Sequence, residues 1–141
     1  MKKSTSELLE ILKKSPDIPT YTDRVSGNLI EQLPLHTYLL KILEEKQLKR
    51  SDVAHASGLD RGYVYDIFAG KKTPSRDKLL ALCFALRLSD VQVQRLLNST
   101  GYAQLYPRIE RDSIILFALS HHLSLLDANE LLYEMNYQPL I

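Results

Sequence analysis

A single cysteine, Cys83, leaves this 141-residue chain without an intramolecular disulfide and suits a reducing compartment. It lies with Leu79, Leu82 and Leu86 on one apolar helical face, where a free thiol behaves as a small buried hydrophobe. Five glycines and six prolines are too few for a long disordered chain. No apolar run approaches the roughly 20 residues of a membrane span. Lys2-Lys3 could open a signal peptide, but Glu7, Glu10, Lys13 and Lys14 interrupt any apolar region behind them. The expectation is a cytoplasmic protein with no membrane association.

Catalytic chemistry is equally thin. Gly70-Lys71-Lys72-Thr73 faintly resembles a phosphate loop, yet the earlier glycine and the preceding strand are missing. His121-His122 with Asp127 and Glu130 can be drawn as a metal cluster. Adjacent helical residues, however, point about 100° apart and cannot chelate one ion as an i, i+4 pair does. His36 and His55 have no ligand partners at suitable spacing, and Cys83 lacks a base. The reading is no enzyme, no metal and no cofactor.

What the chain does contain is charge of one sign in one place. The net charge is only +1, but residues 41–88 hold ten basic and six acidic side chains. Residues 1–40 balance five against five, and residues 89–141 hold three basic and six acidic. Hydrophobic residues make up 45% of the chain, enough to build a core. A concentrated positive segment on a soluble helical chain is the footprint of a phosphate-binding surface.

The same segment carries the strongest local pattern, Val53 to Arg76. Gly58 stands where a short helix must turn sharply and φ > 0 is favoured. Asp60 is placed to cap the next helix, with Leu59 and Val64 as its hydrophobic staple. Val64, Ile67 and Phe68 fall at i, i+3 and i+4 and form one buried stripe. Arg61, Gly62, Tyr65, Asp66 and Ala69 occupy the opposite face. A short helix, a glycine turn and a second helix with an outward face make a helix-turn-helix.

Around it the elements follow by pattern. Ser4 and Glu7 form a capping box for a short helix that ends near Lys14, and residues 15–27 read as a linker, with a helical turn around 28–33. Leu35, Tyr38, Leu39, Ile42 and Leu43 give a 3.6-residue period. Ser75 caps a helix running to about Arg87, and Ser89 with Gln92 caps another that Gly101 ends. Pro107 then opens a helix at its first position. Ser124 caps a last one, with Leu125, Ala128, Leu132 and Met135 along one face. The division is 1–33, 34–101 and 102–141: a short helix with linker, a DNA-binding domain, and a helical hairpin. The hairpin is either extra core or a dimer interface, and part of each helix is expected to face inward.

Residues 35–89 resemble the lambda-repressor-like helix-turn-helix domain of the xenobiotic-response-element class. The resemblance rests on Val53-Ala54, Gly58-Leu59, Val64, Ile67, Gly70, Pro74 and the Leu79-Leu80/Leu82/Ala85-Leu86 face. Pro74 to Lys78 and Leu105 to Arg108 are similar to a subgroup of small Firmicute-type regulators. The resemblance implies an all-α, five-helix bundle, here with an N-terminal short helix and a C-terminal hairpin. It also implies a DNA-binding transcriptional regulator, more often a repressor, acting as a homodimer on double-stranded DNA. Arg61, Gly62, Tyr63, Tyr65 and Asp66 then face the bases, and Lys49, Arg50, Ser51, Lys71, Lys72 and Arg76 the phosphates, with Ser51 as the helix cap. Gly62 departs from the class because it can read nothing with a side chain. Asp66 suits a cytosine amino group but not a nearby phosphate. These departures keep a second function open, a module that holds a protein partner through the bundle or the hairpin.

Overall fold

The computed structural model describes residues 3–28 and 32–141, which form nine α-helices and no strand. Residues 1–31 and 32–141 are two compact units. The first contains α1 (Thr5–Lys14), α2 (Ile18–Arg24) and a 3₁₀ turn at Ser26–Asn28. Ser4 caps α1 by accepting from the Glu7 N–H at 3.2 Å.

The expected linker 15–27 is in fact mostly helical, because Asp17 accepts from the Thr20 N–H at 2.8 Å and starts α2. Pro19 does not prevent this, since the first turn of a helix needs no N–H donor to a preceding carbonyl. The helical turn expected around 28–33 lies largely outside the described residues.

The second unit is built from α3 (Leu35–Lys46), α4 (Arg50–Ser57), α5 (Arg61–Phe68), α6 (Arg76–Ala85) and α7 (Asp90–Ser99), followed by α8 (Glu110–Ser120) and α9 (Leu125–Glu134). Each helix start but three carries its cap. Asp60, Ser75, Ser89 and Ser124 accept from the third N–H beyond them, and Ser89 with Gln92 completes a full capping box. Helix α6 is the centre of the unit, with Leu79, Leu80, Ala81, Leu82 and Cys83 all buried. Ile42, Val53, Val64, Phe68, Val93 and Leu96 pack into the same core.

The hairpin joins that core. Leu105, Ile115, Leu119, Leu132 and Leu140 belong to it, while Phe117, Leu126 and Tyr133 stay exposed on the outside. Part of each hairpin helix therefore does face inward. Three details differ from the sequence reading. Helix α8 begins at Glu110 rather than Pro107, which sits in the preceding turn. Met135 lies just past the end of α9 and is exposed instead of lining its inner face. His121 and His122 follow α8 rather than lying on it: His121 stacks on Phe117, and His122 takes a left-handed conformation in the turn.

Two polar clasps fix the hairpin. The Gln94 side-chain amide donates to the Leu105 carbonyl at 2.7 Å and accepts from the Leu105 N–H at 2.8 Å. Reciprocal ion pairs join the starts of α6 and α8. Arg76 donates to Asp112 at 2.7 Å, and Arg111 donates to both Asp77 oxygens at 2.9 and 3.0 Å.

Burial pushes the Cys83 thiol from 9.0 up to about 12. A raised folded pKa contributes stability that is complete below the unfolded value and is lost as pH rises through the folded one. Folding stability should therefore decline between about pH 9 and pH 12, and Cys83→Ala should remove this part of the decline. Iodoacetamide labelling at pH 8.5 is expected to be negligible for the native protein and fast in denaturant. Rapid native labelling would place the thiol at the surface.

Candidate nucleic-acid interface

The turn between α4 and α5 is held from both sides. Gly58 takes φ = 71°, a left-handed conformation that favours glycine, and a Cβ built there would lie 2.6 Å from Ile141 Cδ1, whose exposed side chain could swing aside. Ser57 is buried and donates to the Ala54 carbonyl at 2.8 Å while accepting from the Leu59 N–H at 3.2 Å. Asp60 then accepts from the Tyr63 N–H at 3.0 Å and starts α5. Val64, Ile67 and Phe68 anchor the inner face of α5, and Arg61, Gly62 and Ala69 are exposed on the outer one.

Helix α5 carries two tyrosines, each with two cations. Arg50 of α4 and Arg61 lie 5.1 and 5.2 Å from the centre of the Tyr65 ring. Arg61 Nε also donates to the Tyr65 hydroxyl at 3.1 Å. Lys72 and Lys78 lie 5.6 and 5.0 Å from the centre of the Tyr63 ring. Side chains two residues apart on a helix point about 200° apart, so the rings flank the outer ridge on opposite sides. Between them Gly62 leaves the ridge bare. A helical glycine costs about 1 kcal/mol relative to alanine, and a Cβ here would crowd the capping Asp60 Oδ2 at 3.3 Å.

The basic turn after α5 is equally ordered. The Asp66 carbonyl accepts from the Lys71 N–H at 2.8 Å, and Gly70 takes φ = 78° against the His36 ring. The Tyr102 hydroxyl donates to the Pro74 carbonyl at 2.6 Å and pins the far end of the turn. Burial, with Tyr63 nearby, raises the Tyr102 pKa above the ordinary tyrosine range. Lys71 and Lys72 are thereby presented on a fixed loop, both exposed.

Of the sequence-derived candidates, Arg50, Arg61 and Tyr65 form one cluster around α5 and Tyr63, Asp66 and Lys72 another, with two corrections to the rest. Ser51 does not cap α4. The helix starts two residues earlier, with Lys49 in the cap position, and no side chain accepts from its free N–H groups. Arg76 is turned away from the surface cations: its guanidinium holds Asp112 and the carbonyls of Ala103 and Gln104. Asp66 faces Lys72 at 3.6 Å, so its charge is already opposed.

Lys78 is the member that sequence reasoning missed. It stands at the third position of α6, where a capping box would place Glu or Gln and where the helix dipole disfavours a cation. That local misfit was the available signal.

Among the described residues, no group of three or more His, Cys, Asp or Glu could hold a metal ion. No described helix is long and apolar enough to cross a membrane. No curated protein and no solved structure matches the chain. Residues 38–99, from the first turn of α3 to the end of α7, match the family model of the Cro/C1-type helix-turn-helix DNA-binding domain. The basic face around α5 therefore lies inside the segment that is similar to the Cro/C1-type helix-turn-helix DNA-binding domain.

Proposed function

We propose that the protein is a transcriptional repressor that lays α5 in the major groove of double-stranded DNA. The observation that carries this reading is the basic face itself: Arg50, Arg61, Lys72 and Lys78 gather on the two tyrosines of the exposed helix. In a helix-turn-helix the start of the second helix meets base edges and the start of the first meets the backbone. Arg61 stands at that start. Its Nε is held by Tyr65, and its two terminal nitrogens remain to fork onto guanine O6 and N7. The uncapped N–H groups of α4, beside Lys49, Arg50 and Ser51, suit a phosphate oxygen. Lys71 and Lys72 extend the backbone contacts from the turn. Arg76 serves instead as an internal tie.

One bundle of this size offers a small interface, so we further propose a two-fold dimer on a near-palindromic site. Exposed Phe117, Leu126 and Tyr133 on the hairpin supply apolar surface for such a contact. The competing reading, a module that holds a protein partner, draws on the bare Gly62 ridge and on the Asp66–Lys72 pairing.

Selection of bound fragments from genomic DNA with the purified protein tests these readings together. The expected result is an enriched site with two half-sites about 34 Å apart. Arg61→Ala should relax preference at one base pair of each half-site, at a cost of roughly 1–3 kcal/mol on the selected site. Its affinity for random duplex should change little. An equal loss on both duplexes would make Arg61 a backbone contact. No enrichment at all would favour the protein-binding module.

A further inference from the structure

Tyr63 sits on the recognition helix, where a tyrosine is usually read as a candidate base contact. Its surroundings point elsewhere. The ring is half-buried, packs against the core and neighbours Tyr102. Its position is therefore set from inside the protein. Lys72 and Lys78, from the turn and from α6, are both exposed and bring their ammonium groups within 5.6 and 5.0 Å of the ring centre.

We propose that Tyr63 is a positioning residue whose ring holds Lys72 and Lys78 as a paired clamp for one stretch of phosphate backbone. The proposal rests on the DNA-binding reading and adds Lys78 to its contacts. The chemistry favours a ring over a carboxylate as the holder. A carboxylate would neutralise the charge and consume N–H donors. A ring face attracts the cation and leaves the three ammonium donors to phosphate oxygens. Asp66 opposes the charge of Lys72 at 3.6 Å but stays beyond hydrogen-bond length, so the ammonium donors of Lys72 remain available while part of its charge is offset. A free lysine loses rotamer freedom when it is fixed on a phosphate. Holding the two over one ring lowers that loss at the moment of binding.

The test separates position from charge by measuring duplex affinity across a range of salt. Tyr63→Leu keeps an apolar side chain in place but removes the ring. It should weaken binding roughly five- to tenfold, on selected and random duplexes alike. The slope of log affinity against log salt should stay unchanged, because both lysines remain charged and still release counterions. Tyr63→Phe, which keeps the ring face, should restore wild-type affinity. Lys78→Gln, a surface change that leaves the core intact, should flatten the slope by about 0.9.

A loss confined to the selected site would make Tyr63 a base reader and overturn the proposal. So would a Tyr63→Phe variant as weak as Tyr63→Leu, or an unchanged slope in Lys78→Gln. The Lys78→Gln result decides even if Tyr63→Leu fails to fold. A wild-type protein without any salt-dependent binding would instead remove the DNA reading itself.

Discussion

Asp112→Ala is expected to lower folding stability by about 3–5 kcal/mol, a large share of the 5–15 kcal/mol typical of a small domain. Asp112 is 1% exposed, and its two carboxylate oxygens receive Arg76 and the Tyr106 N–H. Truncation leaves the Arg76 guanidinium, itself largely covered, with no opposite charge, and leaves one loop amide unpaired. The cost comes from those stranded groups rather than from the net worth of the pair. For that reason Arg76→Met combined with Asp112→Leu should recover most of the loss. Urea titration of the three proteins decides the point. A fall of less than about 1 kcal/mol for Asp112→Ala would mean that water screens the pair as it does at a surface. By the same argument, cutting the chain after Tyr102 should unfold residues 32–102. The cut removes both ion pairs and strips Leu105, Ile115, Leu119 and Leu132 from the common core.

The second large effect is ionic. If Lys49, Arg50, Lys71, Lys72 and Lys78 each neutralise one phosphate, log affinity should fall with log salt at a slope of about −4.5. Raising salt from 50 to 200 mM then weakens binding about 500-fold. Lys71→Ala should flatten the slope by about 0.9 and weaken selected and random duplexes equally, because backbone contacts position without reading sequence. Fluorescence anisotropy over that range measures both quantities. A flat response would show that the basic face does not meet nucleic acid.

The parts of the fold governed by local rules were readable in the sequence. Asp60, Ser75, Ser89 and Ser124 were each recognisable as caps, since a cap depends on residues within one turn of itself. Gly58 was readable for the same reason, as the turn demands its conformation. The cations of the site were readable as a composition bias, but their arrangement was not. Arg76 looked like another surface cation because its partner Asp112 is 36 residues away. Nothing near Arg76 in the chain announces that pairing. Helix α2 was missed because two prolines outweighed Asp17, although a proline in the first turn is harmless. The inward and outward sides of the hairpin could not be separated either. Both are apolar, and only the location of α6 decides which side is covered.

The crossed ion pairs at the starts of α6 and α8 also constrain how this sequence can drift. Arg76 answers Asp112 and Arg111 answers Asp77, so each helix start offers one charge of either sign to the other. Losing Asp112 leaves a charge stranded beneath the surface, whereas Asp77 and Arg111 reach solvent and either can be lost at small cost. Paired replacement is therefore the route open at Arg76 and Asp112, while Asp77 and Arg111 can change singly. A change at Arg76 or Asp112 is thus felt by the hairpin and the helix-turn-helix bundle together, because each supplies one half of the covered pair.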